Sequence, residues 1–290
     1  MIVFPNCKIN LGLSIIEKRD DGYHNLETFF YPLAINDIVE IIPAPKSEYA
    51  RPDYTDDLIN FTTSGLKVDG NTLDNLCLKA CNLLQKNFPR LPFIKLHLHK
   101  VIPMGAGLGG GSADAAFVLS LLNNQFRLGL SLIELIGYAV TLGSDCPFFI
   151  INEPCFASGR GEILERVALD MSSYYFVLVN AGIRIDTGWA FSQLKFDNNR
   201  LEEPAESIKE IIQRPVTGWK DSLINHFEKP VFKKYPEIAS IKNKLYAHGA
   251  VYTAMTGSGS TVYGIFEKEL EPVFDFPNNY WVKKVKAWLS

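Results

Sequence analysis

Residues 94–116 read Ile-Lys-Leu-His-Leu-His-Lys-Val-Ile-Pro-Met-Gly-Ala-Gly-Leu-Gly-Gly-Gly-Ser-Ala-Asp-Ala-Ala, and the fold is decided inside this stretch. Its opening alternates, with Ile94, Leu96 and Leu98 on one side and Lys95, His97 and His99 on the other. Period two of this kind marks a strand with one face on a core and the other in water. Gly105, Gly107, Gly109, Gly110 and Gly111 then crowd into seven positions. A backbone that rich in glycine takes positive φ or admits a close neighbour. Ser112 reads as the N-cap of a helix over 113–122. A helix N-terminus offers unpaired N–H groups and the positive end of a dipole, so strand, glycine loop and helix together make a phosphate site. A flexible linker of similar composition would not stand between a strand and a capped helix.

Gly105-x-Gly107-x-x-Gly110 also meets the spacing of the dinucleotide fingerprint, which makes a dinucleotide-binding oxidoreductase the alternative reading. That motif follows a buried, almost wholly apolar parallel strand and expects an acidic residue about 20 residues on. Here the strand is half polar, and Leu130 and Ser131 stand where the acid is wanted. No Lys-Ser or Lys-Thr pair follows the last glycine, so the loop is not of the Walker type either.

The chain has 290 residues, 47% of them hydrophobic and 21% charged, enough for one large or two moderate domains with a substantial core. A net charge of −3 provides no basic footprint for nucleic acid. No apolar run reaches the roughly 18 residues of a membrane span. Pro5, Asn6, Lys8 and Asn10 interrupt the apolar N-terminus, unlike a signal peptide. The 5 cysteines form no Cys-x-x-Cys pair, and Cys77 and Cys81 read as part of a packed helix face rather than as metal ligands. An odd count without an export signal predicts the reducing cytoplasm.

Residues 7–16 alternate as a strand, with Cys7, Ile9, Leu11, Leu13 and Ile15 facing one way and Lys8, Asn10, Gly12 and Ser14 the other. Asp20-Asp21-Gly22 turns the chain back through a second strand, 23–32. Strands are expected at 38–42, 59–63, 174–179, 250–256, 261–266 and 280–289. Helices are expected at 71–88, from the capping box Ser131-x-x-Glu134 to Leu142, and within the charged stretch 204–248. Asp145 falls in a Gly-Ser-Asp-Cys-Pro turn after that second helix. Wet-faced strands interleaved with helices, but not in strict alternation, indicate α+β. The Pro- and Gly-containing stretch 152–161 places a domain boundary, giving domains 1–152 and 153–290.

Three further segments carry chemistry-bearing side chains: Lys8 with Asn10, Asp145, and Thr256-Gly-Ser-Gly-Ser-Thr261. Singly they are a solvated strand face, a turn residue and a tight hairpin. In order along the chain they resemble something specific. Pro5-Asn-Cys-Lys-Ile-Asn-Leu11 with Asp21-Gly-Tyr-His24 resembles the opening motif of the GHMP kinases. Pro103 to Ala116 resembles their phosphate loop, Leu142-Gly-Ser-Asp-Cys-Pro147 their acidic catalytic segment, and Thr256 to Thr261 their third motif. The resemblance runs to about Phe266; Cys7 stands where the family has alanine, and the charged segment 198–248 matches no motif.

That resemblance implies a two-domain α+β kinase, with an N-terminal domain like domain 2 of ribosomal protein S5 and a ferredoxin-like C-terminal domain. It implies ATP and Mg²⁺ as cofactors, with the phosphates on Pro103, Met104, Gly105, Ala106, Gly107, Leu108, Gly109, Gly110, Gly111 and Ser112. Asn75 and Lys100 would lie on the nucleotide side, and Ser112 is the candidate Mg²⁺ ligand. Asp145 would be the base toward an acceptor hydroxyl, with Lys8 keeping it ionised and oriented. The Asp-Gly-Tyr-His sequence points to the branch acting on a cytidine-diphosphate sugar alcohol in isoprenoid-precursor synthesis. There Tyr23 and Phe191 would stack on cytosine and His24 would bond its edge, with Asn10, Thr187, Gly257, Ser258 and Gly259 also near the substrate. Another GHMP-type alcohol kinase is the alternative within the class.

Overall fold

The computed structural model describes residues 1–44, 59–195 and 206–287. In chain order the strands and helices are β1 (Ile2–Val3), β2 (Asn6–Lys18), β3 (His24–Asn36), β4 (Ile38–Ala44), β5 (Ile59–Gly65), α1 (Leu76–Asn87), β6 (Phe93–Lys100), α2 (Gly110–Phe126), α3 (Leu132–Leu142) and α4 (Cys146–Ile151). Then follow β7 (Cys155–Ser158), β8 (Ile163–Arg166), β9 (Tyr174–Asn180), α5 (Thr187–Ser192), α6 (Ile208–Ile211), α7 (Glu228–Lys234), α8 (Pro236–Ala247), β10 (Tyr252–Met255), β11 (Val262–Glu267) and β12 (Trp281–Lys286). Two compact units form, each from separate stretches of chain. One takes Met1–Cys7, Ile35–Met104 and Gly110–Asn152; the other takes Lys8–Ala34, Gly105–Gly109 and Glu153–Ser290.

The first unit is built on a four-stranded sheet in the order β1-β4-β6-β5. β4 runs antiparallel to β6, and β5 parallel to it. The alternation read from the sequence is realised: Ile94, Leu96 and Leu98 are buried with Val39, Ile41 and the apolar faces of α1, α2 and α3. On the wet face His97 is bonded through Nδ1 to the Thr62 hydroxyl and through Nε2 to the Ser64 hydroxyl, both at 2.8 Å. A polar ladder of this kind lets one sheet face stay in water while the other carries the core. The capping box at Ser131 starts α3 as expected, and Gly143 closes it.

Three expectations change. The helix expected over 71–88 is interrupted: a 3₁₀ turn spans Thr72–Asp74, and Asn75, in an extended conformation, caps α1 through its Oδ1 and the Cys77 N–H at 2.9 Å. Two Asn side chains bonding nearby backbone outcompete helix continuation there. The helix after the glycine loop begins at Gly110, so Ser112 lies inside its first turn and is not its cap. Gly105, Gly107 and Gly109 take left-handed φ of 62°, 78° and 69°, whereas Gly110 and Gly111 are helical. The segment after Asp145 is the six-residue helix α4, with Pro147 in its first turn, where a missing N–H costs nothing.

The second unit holds two four-stranded sheets, β2-β3-β7-β8 and β10-β11-β9-β12. In the latter, β9 lies between β11 and β12, antiparallel to both, and β10 pairs antiparallel with β11. Numbered from β9, that is the strand order 2-3-1-4 of a ferredoxin-like sheet. α7 and α8 cover it with Val231, Ile238, Ile241 and Leu245 against Val177, Val179 and Phe266. β7 and β8 were not legible because each is only four residues long and neither alternates cleanly. Of the charged segment 198–248, residues 198–205 lie outside the described residues; the rest folds into the short helices named above. The final strand is β12; residues 288–289 lie outside the description. No helix among the described residues is long and apolar enough to cross a membrane.

Candidate active site

β2 is buried from both sides, and this overturns the solvated-face reading of Lys8 and Asn10. Each is only 3% exposed. The Lys8 ammonium donates to Asn10 Oδ1 at 2.7 Å and lies 4.8 Å from the centre of the Phe30 ring. Asn10 is itself fully engaged. Its Nδ2 donates to the Thr28 hydroxyl at 2.9 Å, and that hydroxyl donates to the Gly12 carbonyl at 2.6 Å. Its backbone N–H donates to Thr256 Oγ1 at 3.0 Å, and its carbonyl accepts from the Tyr263 hydroxyl at 2.9 Å. With its polar atoms engaged in this way, Asn10 orients Lys8.

The glycine loop joins this network from its other side. Lys8 N–H donates to the Leu108 carbonyl at 3.0 Å, and Thr261 N–H to the Ala106 carbonyl at 3.2 Å. The Thr256 hydroxyl faces two acceptors, Asn10 Oδ1 at 3.1 Å and the Gly107 carbonyl at 3.0 Å. A Cβ at Gly107 would fall 2.1 Å from the Thr256 carbonyl oxygen, so at a φ of 78° only glycine fits. Gly257 in turn is pressed on Gly107, since a Cβ there would lie 3.2 Å from the Gly107 Cα. Asn225, buried in the charged segment that matched no motif, holds the same turn by donating to the carbonyls of Met255 and Gly257 at 2.7 and 2.9 Å. Lys8, Asn10, Gly107, Gly257 and Thr256 are thus brought together within the second unit. Thr28 and Asn225 joined them without any signal in the sequence.

The first unit carries the helical end of the loop and Asp145. Ser112 bonds the Cys146 thiol, which burial pushes up to about 12. Asp145 precedes Cys146 at the start of α4, and its carboxylate makes no capping bond to that helix. With Ser144, Asp145 forms the turn that separates α3 from α4. Asn75 caps α1, as described. Lys100 is 2% exposed and its ammonium is held between two buried carboxylates, those of Asp37 and Asp114. Asp37 also accepts from the N–H groups of Val101 and Ile102 at 2.6 and 2.9 Å, pinning the chain just before Pro103. Desolvation raises the Asp114 carboxyl to about 7, against the opposing pull of Lys100. The signal for this cluster was present only in part: Asp37 stands in a strand linker and Asp114 in a helix, with nothing to pair them.

His24 lies on Phe191, with ring centres 4.5 Å apart and planes at 17°. Phe227 meets Phe191 edge-on at 4.8 Å. Tyr23 is 55% exposed, with the Arg160 guanidinium 4.6 Å from its ring centre. Burial, aided by Lys18, lowers the His24 pKa, so its imidazole is neutral at pH 7 and has one donor and one acceptor. The hydroxyls of Thr187 and Ser258 lie 3.0 Å apart, joining the start of α5 to the third glycine motif.

The chain is similar to known proteins over nearly its whole length. The family profile "GHMP kinases N terminal domain" matches residues 75–153, and "GHMP kinases C terminal" matches residues 196–283. The chain is 50% identical to a 4-diphosphocytidyl-2-C-methyl-D-erythritol kinase of Bacteroides thetaiotaomicron over 93% of both chains. It is 43% identical to the enzyme of that name from Cytophaga hutchinsonii, over 96% of this chain and 97% of the other. The crystal structure of a 4-(cytidine 5'-diphospho)-2C-methyl-D-erythritol kinase superimposes with a TM-score of 0.75 at 27% identity, over 99% of this chain and 100% of that one. A mevalonate kinase from Methanococcus jannaschii shares the fold, at TM-score 0.66 and 13% identity, over 100% of this chain and 98% of that one.

Proposed function

The chain belongs to the GHMP kinases, and within them to the family of these 4-diphosphocytidyl-2-C-methyl-D-erythritol kinases, and on that footing we propose how it works. It is an ATP-dependent kinase that phosphorylates the 2-hydroxyl of 4-diphosphocytidyl-2-C-methyl-D-erythritol and releases ADP, a step of isoprenoid-precursor synthesis. The observation that carries the site assignment is the Thr256 hydroxyl, which ties Lys8's partner Asn10 to the glycine loop. Three separated motifs bound through one hydroxyl are what a phosphoryl-transfer site needs, because such catalysis is mostly alignment and charge stabilisation.

In this reading the backbone N–H groups of the loop and of the first turn of α2 hold the triphosphate. The acceptor oxygen bonds to the γ-phosphorus as the bond to the ADP oxygen breaks, and its proton passes to Asp145. A hydroxyl is too weak an acid to be ionised beforehand, so that transfer is late. The Lys8 ammonium, oriented by Asn10, is the positive charge assigned to orienting the base. Mg²⁺ would accompany the nucleotide. Ser112, whose hydroxyl bonds Cys146 at the start of α4, is the oxygen that would hold it. Bound there, it neutralises charge on the phosphates.

On the acceptor side, cytosine stacks against the group formed by Tyr23, His24 and Phe191, while Thr187, Gly257, Ser258 and Gly259 line its approach. A cytosine placed on the face of Phe191 takes the position His24 now fills, so His24 turns to the edge of the base. We place the protein in the reducing cytoplasm, supported by its 5 cysteines, all buried and none in a disulfide. The test is ADP release with ATP, Mg²⁺ and 4-diphosphocytidyl-methylerythritol, against mevalonate, homoserine and galactose. Turnover confined to the cytidine compound is expected; equal turnover of mevalonate or homoserine would sink the substrate assignment.

A further inference from the structure

Arg184 lies in the segment between β9 and α5, and the backbone on either side of it is fixed. The Ser260 hydroxyl donates to the Ile183 carbonyl, and Gly182 N–H donates to Asn180 Oδ1 at 2.8 Å. Ile185 is buried and packs on Gly259, where a Cβ would come within 2.7 Å of its Cδ1. Between these anchors the Arg184 side chain is exposed and runs over the first glycine of the loop. A Cβ on Gly105 would lie 3.8 Å from Arg184 Nε and 3.9 Å from its Cγ.

Three other arginines are neutralised by neighbouring carboxylates. Arg19 pairs with Asp21 at 2.8 Å, Arg166 with Glu153 at 3.4 Å, and Arg160 with Glu162 at 3.7 Å. Among the described residues no carboxylate pairs with Arg184. An uncompensated guanidinium is therefore held beside a loop of left-handed glycines, whose backbone dipoles form an anion-binding concavity. Both are positive, and their juxtaposition is relieved by an anion between them. The planar guanidinium presents several N–H donors and suits two oxygens of one phosphate better than any single point charge does.

We propose that Arg184 is a phosphate-binding residue of the kinase site, clamping a phosphate group against the Gly105 end of the glycine loop. The inference rests on the kinase reading above. The phosphate belongs either to ATP or to the diphosphate of the acceptor, since Thr187 and Ser258, assigned to the acceptor, stand on the same two segments as Arg184 and its anchor Ser260.

Arg184→Ala and Arg184→Lys separate these sources. Calorimetric titration with ATP, adenosine and the cytidine-diphosphate acceptor is paired with KM measured for each substrate in turn. Losing a charge-assisted bidentate contact weakens the phosphate-bearing ligand by about tenfold or more, with adenosine unaffected. Lysine restores part of the loss, because charge returns but the fork does not. A loss confined to ATP assigns the nucleotide, and one confined to the acceptor assigns its diphosphate. Binding and KM within twofold of wild type for both substrates would overturn the proposal while leaving the kinase reading intact. An inactive wild type would instead strike at the kinase reading itself. Unchanged thermal midpoints are expected for both variants, since the side chain is exposed.

Discussion

Replacing Lys100 by Met decides whether that ammonium serves the nucleotide, as the sequence suggests, or the fold, as its surroundings indicate. Its side chain is 1% exposed, and its two partners, Asp37 and Asp114, are 0% and 3% exposed. Removing one member of a buried ion pair leaves charge stranded in a poorly solvating interior and costs about 3–5 kcal/mol. Against a total stability of about 5–15 kcal/mol that is a large share. The two carboxylates respond differently. Asp37 keeps two backbone N–H donors to its carboxylate. Asp114 Oδ1 has no partner among the described residues, so Asp114 takes up a proton instead. The loss from Lys100→Met is therefore greatest near pH 8 and smaller near pH 6. Adding Asp114→Asn recovers part of it at pH 8. Urea unfolding followed by circular dichroism at both pH values reads the effect. A loss under about 1 kcal/mol, accompanied by a raised KM for ATP, would refute the structural role and return Lys100 to the nucleotide site.

Asp114→Asn alone tests the charge balance. Its carboxyl titrates near 7 in the fold against 3.8 in the open chain, so the folded state binds the proton first. The group favours folding below the lower value, and that advantage is lost as pH rises to about 7. The Asn variant is then more stable than wild type at pH 8, by at most about 4 kcal/mol, and the difference shrinks toward pH 5 in paired melts. Thr256→Val keeps shape but strands the Asn10 N–H, costing about 1–3 kcal/mol and raising KM for ATP, whereas Thr256→Ser restores both; unfolding midpoints and kinetics check this. Phe191→Ala raises KM for the cytidine substrate about tenfold with KM for ATP unchanged, as losing a stacking face of about 1–3 kcal/mol requires.

How much of this was legible follows from the range of the interactions. The alternation at 94–100, the capping box at Ser131 and the hairpin at Asp20-Asp21-Gly22 are local, and the fold honours each. The glycine loop was legible as a phosphate site because glycines crowded ahead of a helix leave backbone N–H groups uncovered by side chains. What depended on distant partners was hidden. Lys8 and Asn10 looked solvated because nothing in β2 announces that Thr256 and Tyr263 close over it. Ser112 looked like a cap because two glycines ahead of it were assigned to the loop, whereas they extend the helix. The ion pairs of Lys100 were hidden because its carboxylates lie 63 and 14 residues away. The stacking of His24 on Phe191 joins β3 to α5 across more than a hundred residues, a separation no short-range pattern encodes.

The central claim is that Asp145 takes the proton of the acceptor hydroxyl while Lys8 and the glycine loop align the phosphates. Rapid-quench turnover of Asp145→Asn with ATP, Mg²⁺ and the cytidine-diphosphate substrate, alongside calorimetric binding of both ligands, tests it most directly. Binding within a few-fold of wild type is expected, with a rate reduced by about 10²–10⁴ or more. Full binding with a near-normal rate would contradict it.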